Sequence, residues 1–306
     1  MSKQWTAEHT VEPEQARLLI ESQFPELAPI TLELVGEGWD NIVYRVNRNY
    51  VFRFPRRQIG STLVAVEEKI LPLLNHRLPL PIPKPLFFGK PTPEYRWSFL
   101  GYNFLQGRSA CAAHLNNLQR AKLAVPLAQF LKTLHAIPEQ EALNLGAQYD
   151  KLGKLNVPFR YPQAQQNIAK IREIGLFDNC DALLEILETL KDLRDTGKKT
   201  LAHGDLYARH LLVDKHHQLS GIIDWGDVHV GNPAIDLQII FSFLPQQAHQ
   251  QFFDVYGHID HQTLQLALFR ALCQLTTLAL YSHDVSDTDL LRECLFGLQL
   301  IAPARL

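Results

Sequence analysis

The chain has 306 residues, enough for one large domain or two modest ones, and 46% of them are apolar, so a sizeable core can be buried. Its 30 Lys and Arg against 32 Asp and Glu argue against a nucleic-acid binder, which would carry a basic patch. The opening MSKQWTAEHTVEPEQ is polar and acidic with no apolar stretch of a secretory signal, and the longest apolar runs fall short of a bilayer span, so neither export nor a membrane partner is expected.

Residues 12–24 carry a mixed helical pattern that Pro25 and Pro29 close. The period then changes. ITLELVGEG, NIVYRV and NYVFRFP alternate and are rich in β-branched and aromatic residues, which predicts three antiparallel strands, the last two joined by a tight turn at Asn47–Asn49. STLVAVEEKILPLLNHRL predicts a helix with Leu63, Val66, Ile70, Leu73 and Leu74 as its buried stripe, followed by a proline-dense connection. LFFGK and YRWSFLGYNFL predict two more strands.

After Gly107 the character turns helical. One helix is expected from Leu118 to Leu134 and another from about Asp181 to Leu193. Residues 139–180, polar and with prolines, are expected to be irregular. A strand-turn-strand block spans 201–224, and most of the chain beyond Pro245 reads as helix. The order is a strand-rich lobe and then a helical lobe, an α+β plan with boundaries expected at 1–102 and 103–306. Cys111, Cys180, Cys273 and Cys294 form no CxxC pair and read as free thiols of a reducing cytoplasm.

The chemistry concentrates in LAHGDLYARHLLVDKHHQLSGIIDWGD, residues 201–227. LLVD and LSGIID read as a hairpin turning at 215–218. A hairpin brings the residue before one strand near the residue ending the other, so His210 and Asp224 should share an edge, with Asp205 close by. Carboxylates gathered this way repel unless a cation or a proton is shared. Phosphoryl transfer uses such a group: one carboxylate takes the proton of the attacking hydroxyl, and others hold magnesium against the phosphates.

HGDLxxxHLLxD followed by DWGD resembles the catalytic and metal loops of the aminoglycoside phosphotransferase family, a branch of the protein-kinase-like fold. The resemblance implies a bilobal fold, with an antiparallel sheet lobe holding one internal helix and a mainly helical lobe holding a catalytic hairpin. It implies Asp205 as catalytic base, Asp224 as the main magnesium ligand, and Asp236 as a structural brace of the catalytic loop. His210 stands where most of the family has asparagine; macrolide phosphotransferases are similar to this chain in having histidine. It is expected to contact the metal, a phosphate or Asp224.

At the nucleotide end, Gly36 and Gly38 lie between two predicted strands, where missing side chains let phosphates approach the backbone. The resemblance implies that Arg53, where the family usually has lysine, grips the phosphates. Its partner is Glu67, which shares a helix face with Val64, Ile70, Leu71 and Leu74, while Glu68 points outward. It also implies a hinge at 98–109 whose main chain at Gly101, Tyr102 and Asn103 binds the base, with Phe99 and Tyr102 walling it. The cofactors expected are Mg2+ and ATP or GTP as phosphoryl donor.

The acceptor is expected to be a small molecule. A cationic aminoglycoside would call on carboxylates such as Asp178, Asp181, Glu185, Glu188, Asp284, Asp287, Asp289 and Glu293. A macrolide would call on an apolar pocket. Antibiotic resistance follows from either. A metabolic kinase for an amino alcohol, sugar or amino acid, and a non-catalytic kinase-like binding protein, are the alternatives.

Overall fold

The alternating segments near the start of the chain pair as expected. The computed structural model describes residues 8–38 and 40–302; the first few residues, read above for a signal, and the last four lie outside them. The chain divides into two units. One takes the chain up to Leu105 together with Trp225–Asp227, and the other takes Gln106–Asp224 and Val228 onward.

The first unit begins with α1 (Pro13–Gln23), which has proline in its first turn where a missing N–H costs nothing. Strands β1 (Leu32–Glu37), β2 (Asn41–Val46) and β3 (Tyr50–Pro55) follow, then α2 (Gln58–Leu74), β4 (Pro85–Gly89) and β5 (Phe99–Asn103). They form an antiparallel sheet in the order β1-β2-β3-β5-β4. Asn47 and Arg48 both take positive φ (49° and 62°), which gives the β2–β3 turn the twist of its strands.

Because side chains alternate along a strand, the sheet has two distinct faces. One carries Ile42, Tyr44, Val46, Phe52, Phe54 and Phe99 into an aromatic core with Leu19 and Ile20 of α1. The rings of Phe54 and Phe99 stack at 4.6 Å. The other face carries Arg53 and Tyr102 toward α2. On α2 the buried line is Val64, Glu67, Ile70, Leu71 and Leu74; of the expected stripe, Leu63 and Val66 are half-buried and Leu73 is exposed. Leu73 precedes Leu74 by one position and so points about 100° away from it.

In the second unit come β6 (Arg108–Ser109), α3 (Ala110–Ala113), α4 (Asn117–Lys122), α5 (Ala124–His135), α6 (Glu139–Asn144), α7 (Val157–Glu173) and α8 (Cys180–Thr189). The strands β7 (Thr200–Ala202), β8 (Leu211–Val213), β9 (Leu219–Ile222) and β10 (His229–Gly231) follow. The chain closes with α9 (Ala234–Leu237), α10 (Ile239–Ser242), α11 (His249–Tyr256), α12 (His261–Asp284) and α13 (Thr288–Ile301). Two small sheets, β6-β8-β9 and β10-β7, are set among the helices.

Three helix expectations are corrected. The helix expected over Leu118–Leu134 is two, broken at Leu123, because Pro126 offers no N–H to the carbonyl four residues back. The helix expected to reach Leu193 ends at Thr189. The stretch 139–180, expected to be irregular, holds α6 and the 17-residue α7. Asn156 caps α7 by accepting the Phe159 N–H at 3.2 Å, and Pro158 sits in the first turn. Pro162 lies only one turn further in, where its missing hydrogen bond falls near the helix end. Val157, Ala164, Ile168 and Ile171 bury one face of the helix.

By length and composition α12 could cross a membrane, but 67% of its most apolar window is buried inside the protein. It packs against α7, α9, α10 and α13 as the central helix of the second unit. All four cysteines are free and buried.

Candidate active site

The loop from β7 to β8 carries His203, Gly204, Asp205 and His210. Gly204 takes φ +85°, a left-handed conformation that favours glycine. The loop backbone is then fixed at three points. Asp236, fully buried at the start of α9, accepts the N–H of His203 at 2.7 Å and of Gly204 at 2.9 Å. Lys154 Nζ donates to the Gly204 carbonyl at 2.8 Å, and Gln238 donates to the Leu206 carbonyl. Burial pushes the Asp236 carboxyl up. The hydrogen bond and charge of His135, 3.1 Å away, outweigh that and hold it below the ordinary aspartate range.

His203 is buried and uses both ring nitrogens. Nε2 donates to the Ile223 carbonyl at 3.1 Å, so Nδ1 is left to accept the Asp205 N–H at 3.3 Å. Burial accordingly lowers its pKa.

Pairing of Leu211 with Ile222 brings the two ends of the β8–β9 hairpin together. His210 Nδ1 must donate to the Asp205 carbonyl, 2.7 Å away, since that oxygen can only accept. Nε2 then faces Asp224 Oδ2 at 3.3 Å, and Nδ1 lies 3.7 Å from Asp205 Oδ2. One buried imidazole thus stands between the two carboxylates. Burial opposes charge on it, but Asp224 and Asp205 prevail and raise its pKa. Asp224 has φ +63°, an uncommon conformation for a residue with a side chain, and its side chain is 44% exposed.

Asp205 has two further neighbours, both from α12. Gln274 Nε2 donates to its Oδ1 at 2.8 Å, and Arg270 Nη2 lies 3.8 Å from the same oxygen. Sequence reasoning missed both, as it missed Lys154. No local signal singled them out, because α12 carries other polar residues, Gln265, Thr276 and Thr277 among them.

One exposed carboxylate here could serve a magnesium ion. Among the described residues no group of three or more His, Cys, Asp or Glu is placed to hold a metal. Magnesium typically takes one or two carboxylates and completes its shell with phosphate and water oxygens, and the exposed Asp224 carboxylate offers such a ligand. Imidazole is a poorer donor than oxygen to a hard cation, and His210 Nε2 lies 3.3 Å from Asp224 Oδ2.

In the first unit, Glu67 is 2% exposed. Its Oε1 accepts from Arg53 Nη1 at 2.7 Å and its Oε2 accepts from the Tyr102 hydroxyl at 2.6 Å. The Asn41 amide oxygen, turned to the guanidinium, accepts from Arg53 Nη2 at 2.8 Å. A Cβ on Gly226 would lie 2.7 Å from Arg53 Nη2, so glycine there leaves room for the pair.

Strand β5 lies between β3 and β4, so the main chain of Gly101 and Tyr102 is paired within the sheet. Asn103 N donates to the Lys84 carbonyl at 3.3 Å and its side chain accepts from Lys84 N at 2.7 Å. The Tyr102 hydroxyl is bonded to Glu67, and Phe99 belongs to the aromatic core. Gly101 is explained by packing, since a Cβ would lie 2.6 Å from the Phe52 ring. Gly36 and Gly38 differ. Neither has positive φ, and a Cβ would meet nothing within 4 Å at Gly36 and only a carbonyl at 3.6 Å at Gly38.

The chain matches the model of the phosphotransferase enzyme family over residues 31–271. A mutant aminoglycoside 2'-phosphotransferase-IIIa in complex with GDP is 25% identical, with a TM-score of 0.68 over 95% of this chain and 96% of its own. Macrolide 2'-phosphotransferase type I is 21% identical, with a TM-score of 0.56 over 98% of this chain and 100% of its own. A curated relative, the uncharacterized protein YcbJ of Bacillus subtilis (strain 168), is 28% identical over 60 residues, so the match spans only 20% of that protein's length. With a family match across most of its length and the two-part α/β fold of the aminoglycoside and macrolide enzymes, the chain belongs to the phosphotransferase enzyme family.

Proposed function

We propose that this nucleotide-dependent small-molecule phosphotransferase uses Asp205 as its catalytic base and Asp224 as its magnesium ligand, and moves the terminal phosphoryl group of ATP or GTP onto an acceptor hydroxyl. The observation that carries the reading is the bridge made by His210, 3.7 Å from Asp205 and 3.3 Å from Asp224, on a loop braced by the buried Asp236.

Asp205 takes the proton of the attacking hydroxyl. Gln274 holds Oδ1 in place, leaving the rest of the carboxylate to face the acceptor. Asp224 would hold magnesium through its exposed carboxylate. When bound, the cation offsets negative charge on the phosphates. His210 keeps the Asp224 carboxylate in one orientation. In the first unit, Arg53, held rigidly by Glu67 and Asn41, contributes a fixed positive charge to the phosphates. Gly36 and Gly38, which neither φ nor internal packing explains, leave backbone open to them. The rate comes from positioning and charge stabilisation. The four free cysteines support a reducing compartment, the cytoplasm.

Thermal shift with ATP and GTP, each with and without magnesium, tests the donor side, since a bound ligand stabilises the fold by mass action. A magnesium-dependent shift that Asp224→Ala abolishes is expected. No shift with either nucleotide favours a kinase-like protein without turnover. Radiolabel transfer then tests the acceptor, with the aminoglycosides and macrolides named for the similar enzymes screened beside hydroxyl-bearing metabolites. Transfer to an antibiotic would make the protein a resistance enzyme.

A further inference from the structure

Cationic side chains lie beside Asp205 and its loop. Arg270 comes within 3.8 Å of its carboxylate from α12, and Lys154 lies on the adjoining Gly204 carbonyl. Arg160 of α7 is close enough to Arg270 for the two like charges to lower the Arg160 pKa, behind the larger effect of burial. Arg160 is spent on the chain itself, donating to the carbonyls of Gly153 and Leu152.

Arg270 is different. It is only 9% exposed, and its buried Nε has no hydrogen-bond partner. Its approach to Asp205 is an ion-pair distance, longer than a hydrogen bond. A buried guanidinium with unused donors is costly, and such orphan groups in a native structure call for an explanation.

Five of the eight carboxylates named above for a polycationic acceptor are paired within the chain. Asp181 pairs with Arg172, Glu188 with Lys191, and Asp287 with Arg209. Asp289 pairs with Arg292 at 3.2 Å, and Glu293 is buried against Arg120 at 2.7 Å.

Building on the proposed role of Asp205, we infer that the acceptor is a hydroxyl compound bearing an anionic group, a carboxylate or a phosphate, which docks on Arg270 beside the catalytic base. Arg270 has five N–H donors in a planar fork that matches either anion. Bound there, the anion supplies the missing acceptor and holds the neighbouring hydroxyl near Asp205. The same guanidinium repels an ammonium group at that place.

The test uses the full chain with magnesium and the nucleotide that gives the larger thermal shift. Glucose, gluconate, glucose 6-phosphate and glucosamine serve as acceptors, since they share one skeleton and differ in charge; kanamycin is the polycation. Phosphoryl transfer is measured with wild type and with Arg270→Gln and Arg270→Lys. The expected result is a KM for gluconate or glucose 6-phosphate at least about tenfold below those of glucose and glucosamine, the scale of one charge-assisted hydrogen bond. The better of the two anions distinguishes carboxylate from phosphate. Arg270→Gln should erase the preference mainly through KM, and Arg270→Lys should restore part of it.

A preference for kanamycin, glucosamine or glucose, or no transfer to either anion, overturns the inference. So does a loss in Arg270→Gln confined to kcat, which would place the arginine on the transferred phosphoryl group. Nucleotide-induced thermal shift in each variant reports folding. That shift in wild type separates a failure of this inference from a failure of the kinase reading, because a protein that binds no nucleotide fails the second whatever its acceptors.

Discussion

Removing the Asp236 carboxylate should unfasten the catalytic loop, and its cost follows from the contacts. In Asp236→Ala, two buried backbone N–H groups, of His203 and Gly204, lose their acceptor, and His135 loses its carboxylate partner. Each hydrogen bond to a charged group contributes about 1.5–3 kcal/mol, and the three share one carboxylate, so they do not simply add. Breaking a buried charged cluster by removing one member costs about 3–5 kcal/mol, and that is the expected loss. Urea unfolding should show a lower midpoint with an unchanged slope. Turnover should fall as well, because the backbone that presents Asp205 is no longer fixed.

The pH dependence has a definite sign. The folded-state pKa of Asp236 is lowered, so its stabilisation is fully present above the ordinary aspartate value of about 3.9 and is lost as pH falls through the lower folded value. The difference in stability between wild type and Asp236→Ala should shrink only on that acid side. A loss below about 1 kcal/mol at neutral pH, on the scale of an ordinary surface change, would refute the bracing role.

Two glycines should respond oppositely to alanine. Gly101→Ala forces a Cβ against the Phe52 ring, and overpacking of this kind costs about 1–3 kcal/mol. Gly36→Ala meets open space and should leave the unfolding midpoint nearly unchanged while weakening nucleotide binding in a titration; equal stability losses at the two positions would contradict this division. Glu67→Ala strips the acceptor from both Arg53 and Tyr102 and should destabilise the protein by about 3–5 kcal/mol. It should also weaken nucleotide affinity about tenfold or more, read by the same titration.

The legible parts of the sequence were those with short-range causes. Alternation over residues 32–55 specified three strands, and the ordered spacing from Asp205 to Asp224 specified the hairpin whose register fixes where His210 falls. Glu67 was legible because a carboxylate on an apolar helix face needs a partner. Prolines misled in both directions. Pro158 and Pro162 suggested an irregular stretch where α7 starts, and Pro126 was overlooked where it breaks a helix. Gln274 and Arg270 were not legible, because their meaning depends on α12 passing beside Asp205 some 65 residues earlier in the chain, which no local pattern encodes. For Gly101 the sequence showed no packing constraint, and only the paired sheet revealed the Phe52 ring that a Cβ there would meet.

The central claim is that Asp205 accepts a proton in phosphoryl transfer, and single-turnover measurement of labelled phosphoryl transfer by Asp205→Ala tests it most directly. Loss of a positioned base should slow transfer by about 10²–10⁴-fold while the magnesium-dependent thermal shift with nucleotide persists. Transfer at the wild-type rate, with binding intact, would contradict the assignment.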